Sequence, residues 1–166
     1  TAGHKGGDRW RVNVAIQGLD LARGTVCGSM EALDVPKADS PVLTFWHGEI
    51  VDNRNHFFWT RRWGAQVVGD IEHWSKFTPF AQLRDRVAEN GGRDIDLSSN
   101  RYIFMRWKER FFVNVGDDCG LTIAGFYYLC LDRNSGVIVG FYYDPKSDPF
   151  QCLQLTANTQ MAGFSF

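Results

Sequence analysis

The sequence predicts an all-β fold of about eight antiparallel strands, either a closed barrel or a sandwich, with one helical insertion. Three observations carry this. Period-two alternation of apolar residues recurs along the chain. The aromatic content is high, with 13 Phe, 6 Trp and 5 Tyr, many in strand-like runs. Turn-forming clusters separate those runs.

Trp10 to Gln17 places Val12, Val14 and Ile16 on one face and is the first expected strand. Thr25 to Leu33 is the second, and the two prolines in Val35 to Pro41 mark a loop. Pro41 to Val51 is an apolar, aromatic strand ending at the turn Asp52-Asn53-Arg54-Asn55. Phe57 to Trp63 reads as a short strand. The helical insertion spans about residues 70–90. Asp70 is its expected N-cap, and Ile71, Trp74 and Phe77 recur at helical spacing. Pro79, capped by Thr78, opens a second segment that carries Phe80, Leu83 and Val87. Asn90-Gly91-Gly92 stops it. Arg101 to Val113, Gly120 to Leu131, Val137 to Tyr143 and Phe150 to Thr156 complete the strands. Asp117-Asp118, Asp132–Gly136 and Asp144–Pro149 supply the turns.

The length of 166 residues suits one domain with a substantial core. Its expected parts are a barrel over residues 8–157 and a tail over 158–166. With 18 basic and 19 acidic residues, the net charge of −1 argues against nucleic acid as the main partner. No apolar run approaches the ~18 residues of a membrane span. The chain opens on Thr1, as an excised fragment would, and shows no signal-peptide pattern. Cys27, Cys119, Cys130 and Cys152 lack the paired short spacing of a zinc site. Their even number leaves a disulfide open, although the lack of an Asn-x-Ser/Thr acceptor favours a reducing compartment. The four histidines are scattered. No phosphate-binding loop, dinucleotide fingerprint, zinc-protease helix or nucleophile elbow occurs.

One residue stands out. Alternation along Arg101 to Val113 puts Ile103, Met105, Trp107, Glu109, Phe111 and Val113 on one face and Arg106, Lys108 and Arg110 on the other. Glu109 is thus a carboxylate within an apolar stripe, where it needs a cation or a proton. Either the chain supplies that cation through a salt bridge to Arg106 or Arg110, or a ligand supplies it, or a bulge turns Glu109 outward. Tyr127 and Tyr142 add hydroxyls to apolar strand faces, each near a glycine, Gly125 or Gly140, that would leave room for a guest. A core role with bonded hydroxyls is the competing reading of both tyrosines.

Tyr102-Ile-Phe-Met-Arg-Trp-Lys-Glu109, Ala124-Gly-Phe-Tyr-Tyr128 and Gly140-Phe-Tyr-Tyr143 resemble the substrate-receptor subunit of the GID/CTLH E3 ubiquitin ligase, the vacuolar import and degradation family. Gln17-x-x-Asp20, Cys27-Gly28, Gly48-Glu49-Ile50, Thr60-Arg61-x-Trp63 and His73-Trp74-x-Lys76-Phe77 match as well, and the similarity runs from about Trp10 to Thr156. The resemblance implies an eight-stranded, lipocalin-like antiparallel barrel that is not an enzyme and carries no cofactor or metal. It implies that the barrel mouth captures proteins with N-terminal proline, or other apolar N-termini, for ubiquitination in the cytoplasm or nucleus. By motif match, Glu109 and Tyr127 would bind the terminal amine. Thr122, Ile123, Tyr142 and Gln151 would line the groove, joined by Leu43, Val35 and Phe112. Phe112 differs in parity from Glu109, so both can face the groove only if the strand is irregular. Phe164 and Phe166 in the tail would anchor the chain to an armadillo-repeat scaffold subunit. Two departures stand out. Gly3-His4-Lys5 replaces a Gly-x-Gln whose glutamine would accept from the amine, and Thr122-Ile123 replaces a Ser-Phe pair. The rival from another class is a lipocalin-like carrier of a small cationic or apolar ligand. A hydrolase in the barrel mouth lacks a visible nucleophile–base pair.

Overall fold

The computed structural model describes residues 2–5, 8–10, 12–33, 35, 40–116, 121–144 and 151–156, without the side chains of 2–5, 8–10 and 151–153. Asp117, Asp118, Cys119 and the tail bearing Phe164 and Phe166 lie outside these residues, as do the side chains of Lys5, Gln151 and Cys152.

The strands are β1 (Ala2–Lys5), β2 (Asp8–Trp10), β3 (Val12–Asp20), β4 (Thr25–Ala32), β5 (Val42–Ile50), β6 (Tyr102–Phe112), β7 (Phe126–Asp132), β8 (Ile138–Tyr143) and β9 (Gln151–Leu155). All belong to one sheet in the order β2-β1-β9-β8-β7-β6-β5-β4-β3, each pair antiparallel. Several expectations need correction. Phe57 to Trp63 forms bends and turns instead of a strand. Its rings pack under the helical insertion, and Arg61 and Trp63 take positive φ values of 61° and 59°, which a strand cannot accommodate. The β1–β2 hairpin was not expected, because its short segments carry little alternation.

The sheet is curled. Strands β4 and β7 lie three ladder steps apart, ~14 Å in a flat sheet, yet the Tyr127 hydroxyl reaches the Met30 sulfur at 3.7 Å. The concave face holds one core: Val12, Val26, Met30, Trp46, Ile50, Met105, Trp107, Tyr127, Leu129, Leu131, Ile138, Tyr142 and Leu155. Val12, Met105, Trp107, Tyr127 and Tyr142 lie here on the apolar faces that alternation assigns to them.

The insertion covers part of the convex face. Helix α1 (Val67–Trp74), a 3-10 turn (Thr78–Gln82) and α2 (Arg84–Asn90) bury Trp74, Phe77, Phe80, Leu83 and Val87 against Phe104, Phe126, Tyr128 and Cys130. Gly91 ends α2 with φ of 82°, a left-handed conformation suited to glycine. Gln66 and Phe77, not Asp70 and Thr78, occupy the cap positions. Asp70 lies inside α1 because its carboxylate is wanted elsewhere. It accepts from the Thr60 N–H at 2.8 Å, the Thr60 hydroxyl at 2.5 Å and the Tyr128 hydroxyl at 2.7 Å. Three bonds to a buried carboxylate outweigh one exposed cap.

Candidate functional site

Glu109 lies on the concave face, 7% exposed. Strand pairing explains how. Trp46 faces Glu109 and Phe45 faces Phe111, so Arg110 is the extra residue of a β-bulge in β6. The bulge follows Glu109 and resets the alternation. Phe112 pairs with Thr44 and shares the concave side with Glu109. Phe111 and Val113, expected on that side, are instead exposed on the convex face, at 54% and 53%. Of the alternatives open for Glu109, an outward-turning bulge is excluded: the bulge turns the following residues and leaves Glu109 inside.

The Glu109 carboxylate accepts from the Thr44 hydroxyl at 2.6 Å. Thr44 was missed at the sequence level, although it alternates with Trp46 on the same apolar strand and so brings a hydroxyl to that face. Two nearby guanidinium groups, those of Arg106 and Arg62, bond to Glu49. Arg106, expected on an ordinary polar face, is buried on the convex side, where its Nε donates to Glu49 Oε1 at 2.9 Å and its Nη1 to the Phe57 carbonyl at 2.7 Å. Arg62 also pairs with Glu49.

Tyr127 is buried beside this group. Burial pushes its phenol well above the ordinary range, and the nearby Glu109 charge pushes it the same way. Both favour the neutral phenol, which can donate or accept. Its ring packs on Tyr142 at 4.9 Å. The Tyr142 hydroxyl accepts from the Gly125 N–H at 2.8 Å. Trp46 and Trp107 stack at 4.0 Å deeper in the same core.

The two glycines do not leave room for a guest. A Cβ on Gly125 would come 2.2 Å from the Tyr143 carbonyl oxygen, and one on Gly140 would come 3.0 Å from Leu129. Their space is filled by the chain itself.

The other expected residues are spread around this centre. Thr122 and Ile123 lie in the connection before β7, which begins at Phe126 and not near Gly120. The Thr122 hydroxyl is exposed and accepts from the Ala124 N–H at 3.1 Å. Ile123 is half-buried. Gln151 pairs with Tyr142 at the start of β9. Val35 is buried in the β4–β5 connection. Leu43 alternates away from the face of Val42 and Thr44, and its N–H donates to Asn114 at 3.0 Å. The structure therefore brings Glu109, Tyr127, Tyr142 and Phe112 to one side of the sheet and leaves Leu43 on the other.

Among the described residues no group of three His, Cys, Asp or Glu side chains could hold a metal ion. Cys27 and Cys130 are free thiols. Among the described residues no helix is long and apolar enough to cross a membrane.

A curled sheet with one carboxylate and two phenols in an apolar concavity has the chemistry of a site for a cationic, partly apolar ligand. The chain belongs to the vacuolar import and degradation protein family, which it matches over residues 2–158. It is 34% identical over 153 residues to the glucose-induced degradation protein 4 homolog of Mus musculus, covering 90% of this chain and 70% of that protein. It is also 34% identical to GID complex substrate-recognition subunit 10 of Schizosaccharomyces pombe, covering 84% of this chain but 26% of that protein. Subunit 4 of the same yeast complex is 28% identical, with 89% of this chain and 80% of that protein covered.

Proposed function

We propose that this chain is a substrate receptor of a GID-type ubiquitin ligase that captures the free N-terminus of proteins beginning with proline or another apolar residue. The observation that carries the reading is Glu109, a carboxylate inside an apolar concavity beside Tyr127. Support comes from the relatives, named as GID complex substrate-recognition subunits.

A prolyl N-terminus is a secondary ammonium with two N–H donors and a compact apolar ring. Glu109 supplies the opposite charge and an acceptor, and the Thr44 hydroxyl orients its carboxylate. The neutral Tyr127 hydroxyl offers a second acceptor, and Tyr142 and Phe112 wall the ring. Charge-assisted bonds of this kind contribute roughly 1.5–3 kcal/mol each. The chain binds and presents; the ubiquitin-transfer chemistry belongs to other subunits. Its tail, through Phe164 and Phe166, docks on an armadillo-repeat scaffold subunit in the cytoplasm or nucleus.

The reading includes a closed barrel. Asp8–Trp10 pairs with β1 and Val12–Asp20 with β4, and only Arg11 separates the two segments. Counted as one interrupted strand, they reduce nine segments to eight and join the two ends of the ladder.

The test is calorimetric titration of a peptide with a free N-terminal proline against its acetylated twin. Acetylation removes the charge and adds bulk, so binding should be lost. Equal affinity would sink amine capture, and binding of a small amine in place of the peptide would favour a carrier.

A further inference from the structure

The Leu121–Gly125 connection enters β7 beside Glu109. Pairing between β6 and β7 ends at Trp107 with Tyr127. Continued by one more alternation, the same register sets Gly125 level with Glu109. Among the described residues, two bonds tie this short segment to neighbouring strands and a third lies within it. The Lys108 ammonium donates to the Ile123 carbonyl. The Thr122 hydroxyl accepts from the Ala124 N–H at 3.1 Å, and the Tyr142 hydroxyl accepts from the Gly125 N–H at 2.8 Å. At Gly125 the backbone lies so close to Tyr143 that no side chain fits.

Lys108 differs from Thr122 and Tyr142. It precedes Glu109 in the chain and, by alternation, points to the opposite face of β6. It therefore cannot touch a ligand bound at Glu109, yet it fixes how far the loop stands from that carboxylate. We propose that Lys108 is a positioning residue that clamps the Leu121–Gly125 loop into a rigid wall beside Glu109, and that this wall sets which second residue of a bound N-terminal peptide is accepted. The inference rests on the amine-capture reading. With the amine at Glu109, the second residue is the first part of the peptide to leave the concavity and meet the Ile123 side.

The desolvated ammonium is held by a carbonyl acceptor, and the charges of Glu109 and Asp144 favour its protonated form. Burial opposes it and is the larger influence, lowering the Lys108 pKa from its ordinary value. A neutral isostere such as methionine keeps the stem and loses the bond.

The experiment compares wild type, Lys108→Met and Lys108→Arg by amide hydrogen exchange at Ala124 and Gly125. Each protein is also titrated with two proline-initiated peptides that differ only in an alanine or a phenylalanine at the second position. In Lys108→Met, exchange in the loop should accelerate about tenfold or more, the factor for losing one charge-assisted hydrogen bond. The affinity ratio of the two peptides should move toward one, and Lys108→Arg should restore both. Thr122→Val, which removes the bond within the loop, should shift both readouts the same way by less. Unchanged exchange in Lys108→Met overturns the clamp. Faster exchange with an unchanged affinity ratio overturns the role in selectivity. If wild type binds neither peptide, amine capture fails and the role in selectivity fails with it, while the exchange comparison still decides whether Lys108 holds the loop.

Discussion

Glu109 and Phe112 lie on the same face of one strand although they are three residues apart. In a regular strand an odd spacing sends two side chains to opposite faces. The extra residue, Arg110, makes up the difference, and with it one carboxylate and one aromatic ring come to share the concavity.

Glu109→Gln keeps the shape of the side chain and can still accept from Thr44, so the fold should hold. The charge is what a terminal ammonium would need. Affinity for a free-amine peptide should fall at least about tenfold, the equivalent of ~1.4 kcal/mol. Isothermal titration with a parallel denaturation curve checks both halves of the statement.

Deleting Arg110 should remove the bulge without exchanging the faces of the residues around it. Glu109 would still oppose Trp46, Phe111 would still oppose Phe45 and Phe112 would still oppose Thr44. The variant should therefore fold, within about 1–2 kcal/mol of wild type in urea, the range of an ordinary point change. Local twist falls when a bulge is lost. Peptide affinity should drop because the carboxylate is re-aimed, and unchanged affinity would show that the bulge only serves parity.

Asp70→Ala should be far more damaging, although it lies away from Glu109. It would leave the Thr60 N–H, the Thr60 hydroxyl and the Tyr128 hydroxyl without their shared acceptor. Buried groups left unpaired cost about 1–3 kcal/mol each, so a loss of ~3 kcal/mol or more is expected in chemical denaturation. A loss below ~1 kcal/mol would mean that the insertion relaxes to satisfy them.

His73 should make stability depend on pH. Burial, aided by Lys76, holds its pKa below the ordinary value, against the Gly69 carbonyl and the charges of Glu72 and Asp70. The unfolded chain then binds the proton more readily than the folded one. Stability from this group is complete above the unfolded value of about 6.5 and declines as pH falls through that value toward the lower folded one. Comparing wild type with His73→Asn in urea between pH 7.5 and 5 should show the steeper acid-side loss in wild type.

Much of the concave face was legible in the sequence. Val12, Met105, Trp107, Tyr127 and Tyr142 each follow from alternation within a single strand, since a strand has a period of two whatever it packs on. Phe111 and Val113 did not follow, because one inserted residue reverses every later assignment and leaves no mark in hydrophobicity. Phe57 to Trp63 failed for a related reason: its rings are apolar because the insertion covers them, not because they lie in a sheet. Asp70 carried the signature of a cap, yet the pull of Thr60 and Tyr128 from distant segments was invisible in one dimension.

The sequence alone determined the class of fold, the helical insertion, its stop at Gly91, and the presence of one carboxylate in an apolar stripe. These are local properties, set by side-chain periodicity and backbone preference over a few neighbouring residues. Only the tertiary structure decided where that carboxylate points, which hydroxyl holds it, and that the glycines near Tyr127 and Tyr142 are filled by the chain itself. Those outcomes depend on strand register and sheet curvature. Both are fixed by contacts between residues as far apart as Thr44 and Glu109, or Met30 and Tyr127, whose distance in the chain carries no trace of their meeting.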